Sequence, residues 1–181
     1  LFRPRNVRLF GPAPVFLYVG RIAVEKNVSA FLALDLPGRK VVVGDGPQAG
    51  ELKRLYPEAL FTGPLAGEAL ADAYASADTF VFPSVTDTFG LVLLEALAAG
   101  LPVAAFPATG PLDVLTDARA AVIGADLREA ALKALDLDRV LAVVGDDGPA
   151  GLLLVPAESG HVVVGAQQQP GLAGAGLRGE V

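Results

Sequence analysis

Short apolar runs recur along the chain, each closing on Gly, Pro or Ser and each followed by a stretch with helical spacing. The runs VFLYVG (15–20), KVVVGDGP (40–47), ALFTGPL (59–65), TFVFPS (79–84) and LPVAAFP (101–107) predict strands that run into turns. AAVIG (120–124) opens a sixth unit. Between them EKNVSAFLALDL (25–36), QAGELKRLY (48–56), GEALADAYASAD (67–78), residues 89–99 and DLREAALKALDLD (126–138) predict helices.

Strands that are apolar throughout are buried on both faces, and strands alternating with helices imply parallel pairing with right-handed crossovers. The expected fold is α/β, a Rossmann-like doubly wound parallel sheet of about six strands. Ligands of such sheets bind beyond the carboxyl ends of the strands, so the loops opening at Gly20, Gly44, Thr62, Ser84 and Pro107 are the ones to read for chemistry. This reading covers residues 1–139. Residues 140–181 differ: they hold nine Gly and no aromatic residue, with GLLLVP and HVVVG as strand candidates and a polar, Gly-rich end. They form an atypical C-terminal segment, expected to be partly disordered or to add extra strands.

Composition narrows the chemistry. The chain has 181 residues, enough for a sizeable core, and no cysteine, so disulfides, thiolate metal sites and a cysteine nucleophile are excluded. That suits a reducing compartment, and no run approaches the roughly 20 apolar residues of a membrane span. The expected location is cytoplasmic. Net charge is −6, unevenly spread: residues 1–60 carry nine Lys/Arg and five Asp/Glu, the remainder five and fifteen. No dense basic stripe serves a nucleic acid. A small anion needs only one or two cations, which the first third supplies. His161 is the lone histidine, and no Ser-His-Asp set or metal-ligand cluster is apparent.

DTFGLVLLEALAAG (87–100) puts two acids, Asp87 and Glu95, on a very apolar helical stretch that Gly100 and Pro102 end. One reading makes Asp87 or Thr88 an N-cap and Glu95 a buried salt-bridge partner. The other sets a diphosphate on the amides of Phe89, Gly90 and Leu91, with one carboxylate at each end of the ligand taking hydroxyls. In GRIAVEKN (20–27), Gly20 permits a tight turn while Arg21 and Lys26 reach an anion beyond the sheet; the alternative is a solvated loop with Glu25 pairing Arg21 or Lys26. GDGP (44–47) and FTGPL (61–65) are turn formers, the latter able to lay Leu65 against a flat base.

Taken in order, FLYVGRIAVEKN, VVVGDGP, FTGPL, ASADTFVFPSVTDTFGLVLLEALAAGLPVAA and GPLDVL resemble glycosyltransferase family 4, retaining enzymes of the two-domain GT-B fold. The chain resembles their C-terminal, donor-binding half over residues 1–139, with LFRP like the linker between halves. The resemblance implies a nucleotide diphosphate sugar, UDP- or GDP-linked, as substrate. Arg21 and Lys26 match the pair that neutralises the diphosphate. Gly20, Phe89, Gly90 and Leu91 match the turn and helix start facing sugar and phosphate. Asp87 matches the acid on the donor sugar, Glu95 the acid on the ribose hydroxyls, and Pro64 and Leu65 the border of the nucleobase.

Asp87, Arg21 and Lys26 would carry catalysis, with no cofactor and no metal required. The expected partner is an N-terminal acceptor-binding half, which leaves room for peripheral membrane contact through it; the chain by itself should transfer nothing. The sequence departs from the family in having Asp87, one methylene shorter than the usual glutamate, and in its tail. A non-catalytic nucleotide-sugar module and a sugar-nucleotide epimerase of the same fold stay open as alternatives.

Overall fold

A computed structural model of the chain describes residues 1–3, 7–12, 14–86, 90–144 and 152–156, of which 140–144 and 152–156 by backbone alone. Strands β1 (Val15–Val19), β2 (Arg39–Val43), β3 (Leu60–Gly63), β4 (Thr79–Phe82), β5 (Val103–Ala105) and β6 (Ala121–Ile123) form one sheet in the order β3-β2-β1-β4-β5-β6. Every pairing in it is parallel. The expected doubly wound α/β sheet is therefore present, and its order reverses between β1 and β4.

The alternation of side chains along each strand builds two cores from one sheet. Leu17, Val41, Phe80, Phe82 and Val103 face one cluster, shared with Tyr74 of α3 (Gly67–Ala75) and Leu93 and Leu97 of α4 (Leu91–Ala98). Phe16, Tyr18, Val42, Val81 and Ala104 face the other. There they meet Phe31 of α1 (Val28–Leu32), Leu52 of α2 (Ala49–Leu55) and Ala130 of α6 (Leu127–Leu135). All five residues of β1 and all four of β4 are buried, and each large apolar side chain so placed contributes about 1.5–3 kcal/mol.

Several boundaries differ from the sequence reading, each for a local reason. The helix expected from Glu25 is split into a 3-10 turn (Val24–Lys26) and α1, because Asn27 between them sits in the left-handed region at φ 53°. Helix α4 starts at Leu91 with Gly90 as its cap, not at Phe89 behind an Asp87 or Thr88 cap; residues 87–89 lie outside the described residues. Helix α5 (Thr109–Val114) was hidden by Gly110 and Pro111, which a first helical turn tolerates. After α6 comes an antiparallel hairpin of β7 (Val140–Val144) and β8 (Leu152–Pro156), the latter the GLLLVP run. HVVVG and the polar end lie outside the described residues. Among the described residues no helix is long and apolar enough to cross a membrane.

Candidate functional site

Because β1 and β4 are neighbours whose following segments lead to opposite faces, a crevice opens beyond their carboxyl ends. It has a volume of about 320 Å³. Gly20, Arg21 and Lys26 line it from the loop after β1, Ser84 from the loop after β4, and Gly90, Leu91 and Val92 from the start of α4. Tyr18, Val19 and Phe82 form the inner wall. Five of the residues singled out in the sequence (Gly20, Arg21, Lys26, Gly90 and Leu91) thus meet around one space.

The loops that shape it are fastened by backbone. Gly20 N–H donates to Val43 O at 3.0 Å, Ile22 N–H to Asp45 O at 2.9 Å, and Gln48 N–H to Ile22 O at 3.1 Å. The chains run so close that a Cβ on Gly44 would lie 1.9 Å from Gly20 O, and one on Gly46 would lie 2.3 Å from Ile22 O. GDGP is thus more than a turn former: its glycines let the loop after β2 brace the loop after β1.

Side chains tie the same loop to β4. Tyr18 Oη donates to Arg21 O at 2.8 Å, and Asn27 Nδ2 to Pro83 O at 3.2 Å. Ser84, only 1% exposed, and Thr86 both donate to Glu25 O, at 3.3 and 3.2 Å. These fastening roles of Tyr18, Asn27 and Ser84 escaped the sequence reading. The available signal was a serine two residues after a four-residue buried strand, a place where an apolar residue would serve packing equally well.

Electrostatically the crevice is cationic at one end. Arg21 lies 3.6 Å from Glu25, with both side chains at least half exposed. Such a pair is worth less than about 1 kcal/mol, so a multivalent anion competes for the guanidinium at small cost. The pairing of Arg21 with Glu25 and the expected anion role are compatible. Opposite stands the start of α4, capped by a glycine that brings no side-chain acceptor. The first amides of a helix have no intrahelical acceptor and carry about half a positive charge between them.

The other expected residues lie elsewhere. Glu95 sits one helical turn beyond Leu91, is half-buried, and accepts a hydrogen bond from Tyr74 Oη at 2.9 Å on Oε2. Burial raises its carboxyl above the ordinary glutamate range, and the Tyr74 hydroxyl pulls in the opposite sense. Pro64 is exposed beyond β3, while Leu65 packs partly against the first core cluster; neither lines the crevice. Asp87 and Phe89 lie outside the described residues. Leu91 and Leu94 are 65% and 39% exposed, so α4 is less enclosed than its all-round apolar pattern suggests.

Comparison with known proteins agrees with this fold. A family model described as "Glycosyl transferases group 1" matches residues 13–142. The chain is similar to a GDP-mannose-dependent alpha-mannosyltransferase of Mycobacterium tuberculosis, 45% identical over 112 residues, covering 61% of the chain and 30% of that protein. It is likewise similar to the sulfoquinovosyl transferase of Arabidopsis thaliana, 43% identical over 109 residues, covering 58% of the chain and 21% of that protein. Among solved structures, sucrose-phosphate synthase from Thermosynechococcus elongatus superposes with a TM-score of 0.60 at 27% identity, covering 74% of the chain and 39% of that one. The chain spans well under half of each of these proteins.

Proposed function

The chain belongs to the group 1 glycosyl transferases, and on that premise we propose that it is the donor-binding half of a retaining glycosyltransferase. It would hold a nucleotide diphosphate sugar in the crevice between β1 and β4 and pass the sugar to an acceptor bound by an N-terminal half of the full-length protein. The observation that carries this reading is the convergence of Arg21, Lys26 and the start of α4 on one space at the topological switch point. The mycobacterial relative uses GDP-mannose by name, which puts GDP-mannose first among donors to test and UDP sugars second.

In this reading the diphosphate lies between the Arg21–Lys26 loop and the α4 amides, and Glu95 takes the ribose hydroxyls. Asp87 holds the sugar, as the family resemblance suggests. The anomeric C–O bond to the β-phosphate breaks and the acceptor oxygen bonds to the same carbon on the same face. The acceptor's hydroxyl proton leaves with the phosphate. Charge developing on that phosphate is met by groups already in place, which stabilises the transition state without reorganisation.

The test is a thermal-unfolding series with GDP, UDP and their sugars on the wild-type protein and on Arg21→Ala/Lys26→Ala. A ligand at a hundred times its Kd adds about 2.7 kcal/mol to stability, and one nucleotide class should do so in the wild type alone. With the full-length enzyme, Arg21→Ala should lower turnover by about 10²–10³-fold. Near-normal turnover in that variant, or equal stabilisation of both proteins, would remove the assignment.

A further inference from the structure

We propose that Tyr74 is a positioning residue for the donor's ribose: its hydroxyl fixes one oxygen of the Glu95 carboxylate and so turns the other toward a vicinal diol. The inference rests on the reading above, in which Glu95 takes the ribose hydroxyls, and adds to it the group that aims that carboxylate.

Tyr74 projects from α3 into the first core cluster and is wholly buried. Its ring is held on two sides, edge-on by Phe2 at 5.5 Å between centroids and by Phe80 at 5.6 Å. A ring so held has no freedom to swing, so its oxygen is a fixed point. That oxygen stands 2.9 Å from Glu95 Oε2 and 3.4 Å from Val92 O, both on α4. A phenol has a single proton to donate, and the nearer, charged oxygen is the better acceptor.

The bond commits Oε2 and leaves Oε1 for a ligand. A glutamate carboxylate turns readily about its last torsion, whereas two neighbouring hydroxyls need it in one orientation. Fixing one oxygen in advance lowers the ordering cost of binding. A phenylalanine would fill the same volume between Phe2 and Phe80, so packing does not account for the hydroxyl.

The test compares the full-length protein with its Tyr74→Phe, Glu95→Gln and doubly substituted forms by calorimetry. The probes are GDP and 2′,3′-dideoxy-GDP, with UDP and its dideoxy analogue as the second pair. The wild type should prefer the ribose form. Tyr74→Phe should weaken the ribose ligand by about tenfold, the scale of one hydrogen bond to a charged group, and leave the dideoxy ligand unchanged. In the Glu95→Gln background Tyr74→Phe should cost nothing more.

If Tyr74→Phe lowers affinity for both ligands alike, or for neither, while the wild type still discriminates, the hydroxyl serves packing alone and the proposal falls. A wild type that binds nucleotide without sensing the ribose hydroxyls removes the role of Glu95, and the role of Tyr74 with it. A wild type that binds no nucleotide defeats the donor reading itself.

Discussion

The Glu95 carboxyl is the residue on which stability and ligand binding pull in different directions. Burial is the larger influence and raises its pKa; donation from Tyr74 lowers it. A carboxyl raised in the folded state binds its proton more tightly there than in the unfolded chain. From the ordinary glutamate value of 4.5 up to its higher folded value, the folded state therefore holds more protons, and stability falls as pH rises through that window. Glu95→Gln has no such titration. Urea midpoints of the two proteins should diverge as the pH is raised above 4.5, with the wild type losing ground; parallel curves would show that Glu95 is not held in an unfavourable setting. The protonated acid is the more stable form, while only the ionised one accepts from two hydroxyls without donating. A glutamate retained there at a cost in stability is what the proposed ribose-binding role requires.

Among the elements, the two glycine-containing loops after β1 and β2 carry the most specific expectation. A Cβ on Gly46 would sit 2.3 Å from Ile22 O and 2.7 Å from Ile22 N. Backbone cannot yield as a side-chain tip can, so Gly46→Ala should cost about 2–4 kcal/mol and displace the loop that carries Arg21. Gly50→Ala is the control, since nothing lies within 4 Å of that Cβ. Chemical denaturation of the pair should show a large loss for the first and none for the second. If both behave alike, the loop after β2 does not brace the loop after β1.

The sequence made the six sheet strands legible because a buried parallel strand has little choice but to be apolar throughout, and Gly, Pro or Ser marks each end. It also disclosed Arg21 and Lys26, since cations carry their chemistry locally, and the existence of α4, though with its start two residues too early. It could not disclose what depends on distance between elements. The split at Asn27 comes with a bond to Pro83, 56 residues away, and Glu95 was readable as an acid needing a partner but not as the acceptor of Tyr74, 21 residues before it. The turn reading of GDGP was incomplete because the reason for its glycines is a neighbouring backbone, which no window of sequence contains.

For the molecule as a whole the distribution of charge decides what a diphosphate needs. The chain is net acidic at −6, yet its first 60 residues are net basic, nine Lys/Arg against five Asp/Glu. Two of those cations, Arg21 and Lys26, line the crevice facing the start of α4. Two side-chain charges and about half a charge from the helix terminus approach what a leaving nucleoside diphosphate carries. They belong to the chain rather than arriving with the substrate. Turnover by the full-length enzyme should therefore continue at an unchanged rate when divalent cations are stripped with EDTA, and added Mg²⁺ should alter it by less than about twofold. A metal that bridged the phosphates would instead supply several kcal/mol to the transition state, and chelation would then reduce the rate by orders of magnitude. An initial-rate assay at saturating donor, with and without EDTA, separates the two cases. Its companion is Lys26→Ala with and without Mg²⁺: if the crevice cations do the neutralising, the variant is slow in both conditions, whereas rescue by Mg²⁺ would show that a metal can take over the task assigned to the side chain.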